Sequence, residues 1–203
     1  AGVSASGGST NSYVSLTTAG VSINTVSGDI TFGNALNGRQ ALTLTAGTGL
    51  VSFVGLVGDS ATLASLTVVS AGDISIGNAM KVTGAVSITG NSGVDIFLGT
   101  AGAGLSLTDA ELDFITEAGS LAITATGAGA SITVNGVTGG GNIDGITRLA
   151  STDDKISFET TASTFDNSLT VVVSDLDIAV AIGVTGSMSI IGNTGVDIFN
   201  GTG

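Results

Sequence analysis

The sequence predicts an all-β chain, a parallel β-solenoid of stacked coils with about 20 residues per coil. Three observations carry this reading. The chain repeats itself: residues 82–100, VTGAVSITGNSGVDIFLGT, return at 184–202 as VTGSMSIIGNTGVDIFNGT, identical at 14 of 19 positions and offset by 102. Apolar residues alternate with Ser, Thr or Asp in short segments about every ten residues, the period of a strand with one buried face. Proline is absent from all 203 residues. Because proline lacks the N–H that a strand ladder needs, its absence fits a chain whose strands are nearly all interior.

The repeat extends beyond that block. SLTVV at 65–69 recurs at 168–172, VSF at 51–53 recurs as ISF at 156–158, and TTAGVSI at 17–23 answers TEAGSLAI at 116–123. Two degenerate copies, approximately 1–101 and 102–203, make one continuous solenoid of the whole chain. A shorter echo, SGDITFGNAL at 27–36 against AGDISIGNAM at 71–80, is offset by 44. After the first GVDIF block the chain runs GTAGAGLSL, and Ala1 opens with AGVS, which matches AGLS. The end of the sequence therefore reads into its own beginning, as expected of a segment of a longer array or of a subunit that stacks head to tail.

The expected strands, in order, are VSLTTAG, VSINTVSGDITFG, ALTLTAGTGLVSFVG, ASLTVVSAGDISIG, AVSITG, SLAITATG, ASITVNG, SLTVVVSDLDIAV and SMSIIG. Gly-Asn pairs separate many of them (33–34, 77–78, 90–91 and 192–193), and these residue types allow sharp corners. A β-sandwich would need hairpins, but Asn-Gly and Asp-Gly turns are scarce, and like sequences stacked on like favour coils. About ten coils spaced ~4.8 Å apart would form a rod roughly 50 Å long. One segment departs from the pattern. In LTDAELDFITEAG (107–119), Thr108 and Glu111 have capping-box spacing and Leu107 and Leu112 have staple spacing, which predicts a short helical turn closing near Gly119.

Composition excludes several function classes. Sixteen acids against four bases (Arg39, Lys81, Arg148 and Lys155) give a net charge of −12. No basic stripe exists to neutralise phosphates, so neither nucleic acid nor an anionic lipid surface is an expected partner. No apolar run reaches the ~18 residues of a membrane-spanning helix. With no cysteine, no disulfide holds the fold. The sequence carries no signal-peptide pattern at Ala1, as expected of a mature form or an internal piece.

The phrases SGDITFGNAL, QALTLTAGTGLVSF, ASLTVVSAGDISIG and LSLTDAELDFITEAGSLAI resemble the repeat units of large bacterial surface proteins of the filamentous-haemagglutinin-like type. The resemblance covers most of 14–134 and weakens over 138–183, where TRLASTDDKISFETTASTFDN is less regular. It implies a right-handed parallel β-helix, exported by a bacterium to the cell surface or the extracellular space, working as an adhesin, fibre or stalk. It carries over no functional residue.

The candidate sites are few. GNSGVDIFL at 90–98 and GNTGVDIFN at 192–200 resemble a calcium-binding nonapeptide, which makes Asp95 and Asp197 the calcium candidates. Nine residues after Asp95 stands Gly104, where a second carboxylate would be needed, so the plainer expectation is a Gly-rich corner with an exposed Asp and no cofactor. The acids Asp109, Glu111, Asp113 and Glu117 read as a charged helix start or a solvated face. Parallel β-helices also host polysaccharide-degrading enzymes, and Asp153–Asp154 and Asp175/Asp177 are the tight carboxylate pairs available for such work. With no His, no Cys and scattered bases, the sequence predicts no enzyme. It predicts a structural extracellular filament protein whose partner is itself, end to end through the terminal coils. The alternative is the stalk of a surface adhesin that meets a host or neighbouring cell, with recognition elsewhere or within 138–166.

Overall fold

The computed structural model describes residues 3–6, 13–139 and 142–200. It is a parallel β-solenoid of about eight turns with roughly 22 residues per turn. The coils are thus somewhat longer and fewer than the sequence predicts. Part of the difference is one coil of 35 residues, between the paired residues Val86 and Leu121.

Each coil has three faces. The first-face strands are Val21–Asn24, Ala41–Thr45, Ser65–Ala71, Ala85–Gly90, Ser120–Ala125 and Thr147–Ser151, followed by the opening halves of Leu169–Ile178 and Met188–Asn200. They stack in parallel, so that the inward residues form files along the rod. One file runs Ile23, Leu44, Val68, Ile88, Ile123, Leu149, Val171, Ile190. Alternation produces this directly, because every second side chain of a strand points to the same side. The second face carries Ile30–Phe32, Leu50–Phe53, Asp73–Ile76, Ile132–Val134 and Lys155–Phe158, then the closing halves of the two long strands. Leu169–Ile178 and Met188–Asn200 turn the corner without a break and so join the first face to the later second-face strands in one twelve-stranded sheet, while Ile30–Phe32, Leu50–Phe53 and Asp73–Ile76 form a three-stranded sheet of their own. Shorter strands make the third face, including Ala35–Asn37, Met80–Lys81 and Ile115–Ala118, with single-residue bridges at Val57. The core is a column of Leu, Ile and Val with Phe32 and Phe53 stacked in adjacent coils, their ring centroids 5.3 Å apart.

The shorter internal echoes fall on matching faces. Both SLTVV segments begin first-face strands, VSF and ISF lie in second-face strands, and the ends of TTAGVSI and TEAGSLAI lie in first-face strands. The offset of 44 spans two coils, Ile30 pairing with Val51 and Val51 with Ile74. The stretch 138–166, irregular in wording, still folds into coil: Thr147–Ser151 pairs with Ser120–Ala125, and Lys155–Phe158 with Ile132–Val134.

The long coil contains an extra strand. After Ile96–Gly99 the chain doubles back, and Leu105–Thr108 lies parallel beside it, Ile96 pairing with Leu105. The expected helical turn follows as Asp109–Asp113, capped by Thr108 through a capping box. It ends at Phe114 rather than near Gly119, because Ile115–Ala118 is already a third-face strand. Val3–Ser6 runs antiparallel to Tyr13–Leu16, whereas Leu105–Thr108 is held parallel to Ile96–Gly99.

Candidate functional site

A recurring Asp-Ile phrase (29–30, 73–74 and 95–96) marks the corner between the first and second faces, and its carboxylate binds the next coil. Asp29 Oδ1 accepts the Leu50 amide at 2.8 Å. Asp95 Oδ1 accepts both the amide and the hydroxyl of Ser131, each at 2.9 Å. Asp73 Oδ1 accepts from its neighbour Ile74 and from Ser106, both at 2.8 Å. These carboxylates take amides whose exposure at a corner would leave them without a strand partner. The calcium candidate Asp95 is thus half-buried and tied to Ser131, and Gly104 stands beside it in the register that the nine-residue spacing predicts. Asp197 pairs with Asp175 through the backbone, and its side chain lies outside the described residues.

Asp95→Ala is expected to cost about 2 kcal/mol, since two hydrogen bonds to a charged acceptor are lost, while Asp95→Asn keeps an acceptor and costs less. Urea unfolding with and without millimolar calcium checks both readings. The corner role predicts no calcium dependence; a calcium-dependent stabilisation that D95A removes would support the metal reading.

The second carboxylate device lies at the extra strand. A three-stranded sheet ends at Asp73–Ile76 and the twelve-stranded sheet ends at Leu105–Thr108, without a ladder between them. Asp73 and Glu111 bridge this seam. Glu111 Oε1 accepts the Ile76 amide at 3.1 Å, and Oε2 accepts the Thr108 amide at 3.0 Å and its hydroxyl at 2.8 Å. A residue that the sequence marks as a helix cap therefore also joins two sheets. Its spacing to Thr108 is legible in the sequence; its reach to Ile76, 35 residues away, is not.

The remaining acids do not gather with these. Both oxygens of Asp109 bind Thr138, one its amide and one its hydroxyl. Partial burial holds the Asp113 carboxyl above the ordinary aspartate range, and the carboxylates of Asp109 and Asp166 act in the same direction. An acid raised in the folded state binds more protons there than when unfolded, so it costs stability as pH rises through that range. The side chain is exposed, which keeps the effect modest. Asp113→Asn is therefore expected to raise the urea midpoint slightly at pH 7, with the gain gone below the ordinary aspartate range; equal gains at both pH values would contradict this origin. Glu117 is exposed on the third face. Asp175 and Asp177 flank the buried Leu176 and project outward together, next to Lys155 and Ser157 of the adjacent coil. Among the described residues no group of three or more metal-ligating side chains comes together.

Two surface features stand apart. In the last described coil the inward residues Met188 and Ile190 are 38% and 37% exposed, while their stacked neighbours Leu169 and Val171 are fully buried. On the first face, a cleft of about 570 Å³ lies between Arg148 and the turn at Ser151–Thr152, with Ala150, Val172 and Gly192 also lining it. No family model matches the chain, and neither the curated proteins nor the solved structures give a match.

Proposed function

We propose that the chain is a structural, non-catalytic element of an extracellular filament, a rod lengthened by stacking further coils on its C-terminal end. Those coils belong to the next copy or to further repeats of a longer array. The observation that supports this is the open last coil. Solvent-exposed Met188 and Ile190 present the apolar side of the core, and burying such surface is the main driving force for association.

The backbone argues the same way. Leu169 donates to Ser187 O at 3.0 Å, and Thr147 donates to Ser168 O at 2.9 Å. Inward residues thus send their amides toward the following coil. By this rule the amides of Met188 and Ile190 point out of the rod's end, an edge that templates another strand. Ile190→Pro removes one such donor and leaves the ladder to Leu169–Ile178 in place. It is expected to abolish end-to-end assembly in sedimentation velocity while the chain still folds, by circular dichroism. Polymers that persist unchanged in I190P would contradict the stacking. The denatured mass of the polypeptide in its source separates the two forms: a free subunit has the mass of 203 residues, and an array segment has many times that.

A second reading, the stalk of a surface adhesin, is favoured by the Arg148 cleft. The polysaccharide-degrading alternative rests on Asp175 and Asp177 and is the more distant one. A neutral-glycan panel hydrolysed at a rate that depends on these two residues would bring it forward.

A further inference from the structure

The first face differs from the rest of the rod in charge. None of the sixteen acids lies in its strand segments, from Val21–Asn24 through Thr147–Ser151 to 169–173 and 188–192. The outward residues there are neutral, mostly Ser, Thr, Ala and Val with Ile191 in the last coil, and Arg148 is the one charged residue among them. Its cross-strand neighbours are Ala122 and Thr170, and among the described residues it has no ion pair. An exposed guanidinium therefore stands on an otherwise uncharged shelf of a chain whose net charge is −12.

The cleft beside it has a mixed lining. Arg148 lines it together with the hydroxyl-bearing Thr124 and Thr152 and the apolar Ala150 and Val172. The turn that walls it is fixed, because the Ser151 hydroxyl donates to Ala130 O at 3.0 Å and accepts the Asp154 amide at 3.2 Å. The Thr152 hydroxyl donates to Asp153 at 2.8 Å, which directs that oxygen's lone pairs to other donors, and Asp153 does not line the cleft.

We propose that this cleft binds an acidic monosaccharide unit, such as a uronate at the end of a glycan. This rests on the adhesin reading and gives it a ligand class. Arginine's planar fork matches a carboxylate in two-point contact. Sugar hydroxyls meet Thr124 and Thr152, and the apolar face of a pyranose ring meets Ala150 and Val172. The volume is that of a small-ligand site. The negative field of the whole chain opposes a long polyanion, so one terminal acidic unit fits better than an acidic polymer.

The test is isothermal calorimetry and saturation-transfer NMR on the full chain with four probes: glucuronate, glucose, acetate and an oligomer of an acidic polysaccharide. Glucuronate is expected to bind at least tenfold more tightly than glucose, acetate and the oligomer. Arg148→Ala is expected to lose at least about tenfold of that affinity and Arg148→Lys part of it. Arg148 is exposed, so neither change disturbs the core, and circular dichroism checks the fold. The proposal is overturned if glucuronate does not bind, if glucose or acetate binds equally well, if the oligomer binds better, or if R148A binds like the parent. Such a failure leaves end-to-end stacking untouched, because I190P tests that at the other feature.

Discussion

Glu111→Ala is expected to destabilise the coil stack by about 3 kcal/mol, since it removes acceptors from three donors, one of them the reciprocal half of the capping box. The Ile76 and Thr108 amides lie on facing strand edges, and the carboxylate substitutes for the missing ladder between them. Without it both amides are left half-buried and unpaired unless water enters. Glu111→Gln keeps one oxygen and presents an NH2 group at the other position, so it should recover part of the loss. Urea unfolding gives the magnitude. Because a repeat rod can open locally, hydrogen exchange at Ile76 and Thr108 is the more direct readout, and both should exchange much faster in E111A. Unchanged protection at those two amides would show that the seam is held by something else.

The second large effect is expected at Gly47, in the corner between Ala41–Thr45 and Leu50–Phe53. Its φ is +61°, and a Cβ there would stand 1.9 Å from the carbonyl oxygen of Val26 in the coil below. Both conformation and space exclude a side chain, and the obstacle is backbone that cannot rotate aside. Gly47→Ala is therefore expected to cost about 3 kcal/mol or more, by separating two coils at one corner. Gly33 is the control. It has no positive φ, and a Cβ there meets nothing within 4 Å, so Gly33→Ala should be neutral or slightly stabilising. Similar losses in the two variants would mean that the close stacking of corners is not what Gly47 provides.

These two positions show what the sequence makes legible. The repeated corners and strands, the face on which each echo lies and the capping box at Thr108 all follow from local pattern, because period-two alternation and cap chemistry act over a few residues. The seam does not. Asp73 reaches Ser106 across 33 residues and Glu111 reaches Ile76 across 35, in a coil that doubles back, and the clue was the nine-residue interval between Ile96 and Leu105, which reads in isolation as a calcium-roll motif. The open end at Met188 and Ile190 carries the same apolar residues as any inner coil, so only stacking reveals it. Arg148 reads as one of four scattered bases until register places it opposite Thr170, on a face without acids. Aligning TRLAS (147–151) with LTVVV (169–173) by alternation is the signal that would have placed it.

The parallel stack itself is tested most directly by distances along the first face. The chain has no native cysteine, so pairs of introduced cysteines carry spin labels without background. With one label at Ser22, partners at Ala122, Thr170 and Ser189 lie four, six and seven coil spacings away in the observed register. Dipolar spectroscopy is expected to give separations of about 19, 29 and 34 Å, a rise of ~4.8 Å per coil. Separations that do not lengthen in that order, as in a folded-back sandwich, would contradict the solenoid and with it the open end on which the filament reading depends.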